Sequence, residues 1–414
     1  MMAEKIGQNI KTQDLEKLWI FPAERRRILE DLYDLTILCN KCGYCKFIFA
    51  PDAKDARFVS QCPRGNIFKH LSYYASGTLE VARGLIEKKL KWTKTIEHIL
   101  YTCTDCGHCQ FWCNVAMRTH PLTIMEIMKE TYVREVGTPE HYRSILANID
   151  ATHNPYGEPH EMRFAWLDDP KPPKNAEIML FIGDDVAYKN KKLAIAAIKI
   201  LRKLGVDFGL LYEDEWHSGY LLFRGGFREK GKDLLNHNFE ALKKAGAKKV
   251  IVISPHDYRT FKVDGPECGI SPDFEIYHIL EFLAPLIKEN KNKLKVLNKK
   301  VTYHDPCQLI RHVMPFAISE QPREILKLLG IEVMEMPRNR LNTYCCGAGG
   351  AVIFGYPNIT KVTAKARLTE AASTGVNELV VSCPSCEGSL DAVSKEFGLV
   401  VENILMLIQS SLGA

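Results

Sequence analysis

The sequence predicts an α-helical domain carrying two cysteine-rich metal sites, followed by a duplicated α/β domain with parallel-sheet character. Three observations predict it. Two C-x-x-C-x-x-C runs occupy residues 39–45 and 103–109. From Ala176 short apolar runs alternate with helical stretches, and the same plan recurs from Lys299, which is the pattern of a parallel sheet with crossover helices. Near the C-terminal end, Tyr344-Cys345-Cys346-Gly347-Ala348-Gly349-Gly350 sets two adjacent cysteines at the head of a glycine-rich turn, with Cys307 upstream and Cys383-Pro384-Ser385-Cys386 downstream.

Taken in order, residues 5–36 place Leu18, Phe21, Ile28, Leu32 and Leu35 at helical spacing, which reads as a packing helix. Cys39-Asn40-Lys41-Cys42-Gly43-Tyr44-Cys45 follows, then Cys62-Pro63-Arg64-Gly65 and a helical region over about 67–92. The second group is Cys103-Thr104-Asp105-Cys106-Gly107-His108-Cys109, with Cys113 just beyond. Two such runs, each with a fourth cysteine, form the ligand pattern of a two-cluster ferredoxin. Three thiolates wrap one corner of a cubane and the fourth arrives from elsewhere. Cys39, Cys42, Cys45 and Cys113 are therefore assigned to one [4Fe-4S] cubane, and Cys103, Cys106, Cys109 and Cys62 to the other. The regular fourth position after the first run falls on Phe49, and Cys62 lies well past it. Zinc is the competing reading, but zinc sites seldom repeat three cysteines at two-residue gaps.

Residues 1–135 make up this helical domain and 136–175 a connector, with turn chemistry at Asn154-Pro155-Tyr156-Gly157 and a stiff spacer at Pro170-Lys171-Pro172-Pro173-Lys174. Phe164 and Trp166 are expected to pin the connector to a domain face. In 176–290, strands are predicted at 178–182, 206–211 and 250–253, with helices over 191–204 and 228–245. In 291–414, strands at 301–303, 331–334 and 379–381 alternate with helices over 324–329 and 359–374. A final amphipathic helix is predicted over 391–412.

Aligning the halves shows what each keeps. Gly183-Asp184 falls on Pro306-Cys307, Trp216-His217-Ser218-Gly219 on Tyr344-Cys345-Cys346-Gly347, and Ser254-Pro255-His256-Asp257 on Cys383-Pro384-Ser385-Cys386. All these loops follow strands, at the edge where α/β folds bind ligands. The second half keeps five cysteines, and the first carries Asp184, His217, Ser218, Ser254 and Asp257. Aspartate and serine suit low-valent iron–sulfur cores poorly. The first half reads either as a site that lost its metal, as a polar pocket facing the remaining cluster, or as a His/Asp site for a harder metal. In the pocket reading His217 is the proton donor and Asp184 or Asp257 orients it. Cys268 lies outside every motif and reads as a plain thiol.

Adjacent cysteines rarely bridge each other, because the disulfide strains the peptide between them. An iron–sulfur core accepts both thiolates, and the following glycines admit backbone close to it. Fourteen of the 414 residues are cysteine. The first sixteen residues lack the apolar core of a signal peptide, and no apolar run reaches the roughly 18 residues of a membrane span. Metal binding is thus expected over a disulfide framework, in the cytoplasm or on the cytoplasmic face of a membrane complex. A net charge of +5 does not argue for nucleic acid. No GxGxxG or P-loop stands between a strand and a helix, so flavin or nucleotide is expected on another chain.

These motifs resemble the iron–sulfur proteins related to the catalytic subunit of heterodisulfide reductase, over nearly the whole chain and including the Asn-Pro-x-Gly connector. The resemblance implies an α-helical two-cluster ferredoxin domain joined to two CCG (cysteine-rich) domains. It also implies that Cys307, Cys345, Cys346, Cys383 and Cys386 bind a noncubane [4Fe-4S] cluster. The first half departs from the family, whose full reductases carry two such clusters and split a disulfide between them. A single intact CCG domain is similar to the iron–sulfur subunit of the membrane complex associated with dissimilatory sulfite reduction. Those members pass electrons from a membrane cytochrome or quinone subunit to a disulfide or trisulfide on a small protein. Others, similar to subunits serving lactate, glycolate, glycerol-3-phosphate or acyl-CoA dehydrogenases, relay electrons between a flavoprotein and a quinone-linked acceptor.

Overall fold

A computed structural model describes residues 28–113 and 120–414; Leu18 and Phe21 of the predicted first helix lie outside them. The helical part is built from short pieces around the cysteine loops, chiefly Ala75–Ile86, Lys94–Tyr101 and Pro121–Glu135. The predicted helix over 67–92 is broken: Lys69 turns left-handed at φ 50° and a 3-10 turn, Leu71–Tyr73, precedes the main helix. Within 136–175 lies a helix, Glu140–Thr152, and Phe164 and Trp166 pack against the α/β core.

Each half then forms its own parallel sheet. In the first, β1 (Ile178–Phe181), β2 (Lys249–Val252) and β3 (Glu275–His278) lie in the order β1-β2-β3. In the second, β4 (Lys299–His304), β5 (Ile331–Val333), β6 (Glu378–Val381) and β7 (Val400–Asn403) lie in the order β5-β4-β6-β7. The sheets correspond in plan, with β1, β2 and β3 standing where β4, β6 and β7 stand. The strand predicted over 206–211 is not a strand. Gly209 makes a single parallel bridge to Met179, at the edge that β5 occupies in the other sheet. Leu211, the next residue in position to bond to β1, instead takes helical dihedrals at φ −77° and ψ −21° ahead of a 3-10 turn, Tyr212–Asp214, so the ladder stops after one rung.

The last predicted helix is also divided. Pro384–Ser394 is helical, Gly398 turns at φ 64°, β7 follows, and the chain ends in Ile404–Leu412. β3 and the helix after it, Ile279–Glu289, are additions to the predicted elements. Both β3 and β7 alternate exposed and buried residues over only four positions, too few to stand out from a helical pattern.

The halves pack reciprocally. Lys191–Lys203, after β1, lies on the terminal helix Ile404–Leu412, while Glu320–Leu328, after β4, lies on Ile279–Glu289, which ends the first half. Each half thus offers its early helix to the other's last, the self-complementary pattern of a two-fold contact. One hydrophobic core runs through both, from Met179 and Leu180 to Ile404 and Ile408. A second core joins the helical part to the first half through Tyr220 and Leu222.

Candidate functional site

The cysteines of the second half converge at the carboxyl ends of β4 and β6. Cys307 follows β4 and opens a helical turn, Cys307–Ile310. Cys383 follows β6 and caps Pro384–Ser394, its sulfur facing the Cys386 N–H at 3.5 Å. Asp305 fastens the loops together: Arg323 and the Arg340 N–H donate to its carboxylate at 2.7–2.9 Å, and Thr343 Oγ1 donates to its carbonyl at 2.8 Å. Thr343 lies two residues before Cys345, so the first loop fixes the second. Gly347 turns at φ 96° and its counterpart Gly219 at φ 94°, which matches the alignment of the halves at the backbone level.

All five thiols are buried, between 1% and 7% exposed. They bond to one another. The bond with Cys345 and then burial push the Cys307 thiol up, while Cys345 and Cys386 donate to Cys346 and hold it well below its ordinary value. Five buried thiols gathered on three neighbouring loops form a soft donor set that fits an iron–sulfur core. His304, at the end of β4, brings a ring nitrogen within 4.8 Å of the Cys346 and Cys386 sulfurs. Its signal is present in the sequence, in the His-Asp-Pro-Cys stretch, but there it reads only as a flank of Cys307.

The N-terminal cysteines line two neighbouring internal hollows. Cys39, Cys42, Cys45 and Cys113 border one, and Cys62, Cys103, Cys106 and Cys109 the other, with Cys45 and Cys109 touching both. The two loops share a backbone shape: Lys41 and Gly43 have φ 58° and 89°, Asp105 and Gly107 have 54° and 72°. Cys42 is exposed. Burial pushes the Cys62 and Cys106 thiols up to about 12 and about 11, so as free thiols they stay protonated. The donor set again fits iron–sulfur cores. The second hollow adjoins the CCG loops directly. A Cβ on Gly349 would stand 2.4 Å from the Thr104 carbonyl, Arg311 Nε donates to the Cys106 carbonyl at 2.8 Å, and Gln308 Nε2 donates to the Asp105 carbonyl at 3.3 Å.

The residues of the first half face the other side of the CCG loops across a cavity of about 460 Å³. Asp184, His217, Ser254 and Asp257 line one wall, Ala348 and Ser385 the opposite one, with Leu221, Ile353 and Phe354 supplying apolar surface. His217 Nδ1 bonds to Asp184 at 2.5 Å. Arg163 binds the other Asp184 oxygen and Glu215, and Glu215 accepts the N–H groups of Ile182 and Gly183 at 2.9 Å. Burial opposes the charge on Asp184, but Arg163 and His217 outweigh it and hold its carboxyl low. Asp257 does not orient His217. Burial pushes its carboxyl well up against a hydrogen bond with Ser218, and Asp184 and Asp185 add to the rise. His256, which sequence reasoning missed, stacks on Tyr220 at 4.1 Å and reaches Ser385 Oγ at 3.3 Å, while Ser385 also donates to Asp185. Burial pushes its imidazole down to about 4.

The family model of the cysteine-rich CCG domain matches residues 184–262 and 301–391. One subunit of the dihydromethanophenazine:CoB–CoM heterodisulfide reductase of Methanosarcina mazei is 34% identical, over 91% of this chain and 93% of that one. The chain belongs to the heterodisulfide-reductase-like iron–sulfur proteins with CCG domains. Within this family both halves count as CCG domains, the first without the motif cysteines. The EtfAB:quinone oxidoreductase of Syntrophomonas wolfei is 31% identical over 64% of this chain and 38% of that one. A subunit of the fumarate reductase (CoM/CoB) of Methanothermobacter marburgensis is 29% identical over 76% and 62%. No helix among the described residues is long and apolar enough to cross a membrane.

Proposed function

We propose that this chain is the iron–sulfur redox subunit of a multi-subunit oxidoreductase and reduces a disulfide or trisulfide in the cavity between its halves. Two cubanes in residues 1–135, held by Cys39, Cys42, Cys45 with Cys113 and by Cys103, Cys106, Cys109 with Cys62, lead to a noncubane [4Fe-4S] cluster on Cys307, Cys345, Cys346, Cys383 and Cys386. When bound, these groups supply electrons one at a time. The observation that carries the reading is the cavity itself: its walls are the CCG loops on one side and a buried acid–base set on the other. Cleaving one disulfide consumes two electrons and two protons and releases two thiols. Asp184 holds His217 at Nδ1 and leaves Nε2 without a protein partner. Burial raises the Asp257 carboxyl well above its ordinary value, while Arg163 and His217 outweigh burial and hold Asp184 low. His217 and Asp257 are thus placed to protonate the departing thiolates, and Leu221, Ile353 and Phe354 give the cavity apolar surface. The partners in this reading are a membrane cytochrome or quinone subunit, or a flavoprotein, on the cytoplasmic side, and a small disulfide-bearing protein as substrate.

The likeness to an EtfAB:quinone oxidoreductase favours a second reading, a relay between a flavin dehydrogenase and a quinone-linked acceptor with no substrate of its own. Anaerobic purification with iron and sulfide counting and EPR tests both. About twelve irons support three four-iron clusters, whereas about eight would remove the CCG cluster. Reduced protein is then mixed with disulfides, trisulfides or persulfides. Reoxidation by a sulfur acceptor supports the first reading; none, alongside rapid exchange with a flavoprotein, supports the relay.

A further inference from the structure

We propose that His304 is a fixed N–H donor to the sulfurs on the Cys346–Cys386 side of the site, and is not a metal ligand. The proposal rests on the reading that these cysteines hold a cluster, and it concerns what sets that cluster's potential. His304 is 1% exposed and offers a ring nitrogen within 4.8 Å of both sulfurs. Three such groups around one point would ordinarily suggest that the imidazole ligates.

Arg367 decides against it. Its Nε donates to His304 Nδ1 at 3.0 Å. A guanidinium has no acceptor and keeps its protons, so Nδ1 must present its lone pair to Arg367. The single proton of a neutral imidazole then sits on Nε2, which is buried and has no protein partner. A ligating histidine has the reverse arrangement, with its outer nitrogen donating to a carboxylate or carbonyl. Arg367 cannot step aside: its Nη1 donates to Glu370 at 2.6 Å and to the Arg338 carbonyl at 2.9 Å, and Glu370 is fully buried between the two arginines. The tautomer is therefore locked from outside the site. A buried N–H without a partner is costly. A ring nitrogen of His304 lies within 4.8 Å of the Cys346 and Cys386 sulfurs, and the sulfur atoms of the bound cluster are the proposed acceptors of the Nε2 proton. Hydrogen bonds to sulfur favour the more negative, reduced state of a cluster. His304 thus makes the end of the relay easier to reduce.

The test uses anaerobically purified full-length protein with labelled histidine, first as wild type. Pulsed EPR on the CCG cluster signal should show weak nitrogen coupling and a proton that exchanges in heavy water. Strong coupling from a direct iron–nitrogen bond overturns the proposal, as does no histidine coupling in a protein that binds about twelve irons. About eight irons in the wild type would overturn the cluster reading itself, and this proposal with it. In an EPR-monitored redox titration, His304→Ala should lower the reduced-to-oxidised ratio of that signal about tenfold at the wild-type midpoint, equivalent to about 59 mV for one electron. The two cubane signals should stay in place. An unmoved midpoint, or an equal shift of all three signals, also overturns it. Should His304→Ala lose iron, the wild-type coupling alone still decides.

Discussion

His217 and Asp257 both stand where the second half has cysteine, and burial treats them differently. Asp184 and Arg163 organise His217, whereas burial, with Asp184 and Asp185 adding to it, raises the Asp257 carboxyl well above its ordinary value. His217→Ala should slow reoxidation by a sulfur acceptor by about 10²–10⁴, the usual range for a general acid, with iron content unchanged; wild-type rates would return His217 to packing. For Asp257 the prediction concerns pH. Its folded-state value lies above the unfolded one, so the folded chain retains a proton that the unfolded chain has released. That stability is complete below the unfolded value, near about 3.9, and declines as pH rises towards the folded value. Asp257→Asn has no such decline. Its thermal midpoint, measured anaerobically from about pH 5 to pH 8, should gain on wild type with rising pH, by at most about 1.4 kcal/mol per pH unit. A constant difference across that window would count against a protonated Asp257. The motif residues are legible in the sequence as residue types at matching offsets. Their burial and His256's stacking on Tyr220 are not, because both depend on elements distant in sequence.

Among the elements, long periodic helices and apolar strands such as β1, β2 and β6 are readable, since burial on one face or on both leaves a pattern. The segment 206–211 has a strand's composition and only one rung of ladder, because Leu211 turns helical into the 3-10 turn Tyr212–Asp214. β7 disappears into a predicted helix because its short apolar run abuts two helices. The glycine turn after Cys346 leaves no room for a side chain at Gly349. Gly349→Ala places a methyl against the Thr104 carbonyl and should cost about 1–3 kcal/mol as overpacking, read as a lower thermal midpoint. By separating the 103–106 loop from the 345–349 loop, it should also slow electron exchange between the cubane and CCG signals in freeze-quench EPR. Unchanged stability and exchange would show that the two loops do not depend on this approach.

Across the whole molecule, the half without motif cysteines still holds the helical domain in place. Arg224 and Arg259 from that half meet Asp105 and Glu126 of the helical domain, with Asp264 between them, all at most 5% exposed. Lys129 adds a third cation by donating to the Arg224 carbonyl at 3.0 Å. Asp105 sits inside the second cysteine run, so this buried network anchors that cysteine loop to the first half. Removing one partner from a buried charge set leaves the others uncompensated. Arg259→Gln should therefore lower stability by about 3–5 kcal/mol, measured by denaturation, with Arg259→Lys losing less. The cysteine groups, the two α/β repeats and the absence of motif cysteines from the first are legible in the chain itself, because ligand spacing and strand–helix alternation are local properties. Only the tertiary structure decided that the stripped half closes a cavity over the CCG loops, that Asp184 and not Asp257 holds His217, and that Arg367 fixes the His304 proton. Each joins residues far apart in the chain, where the partner is chosen by packing and by the need of buried charges and N–H groups for one another.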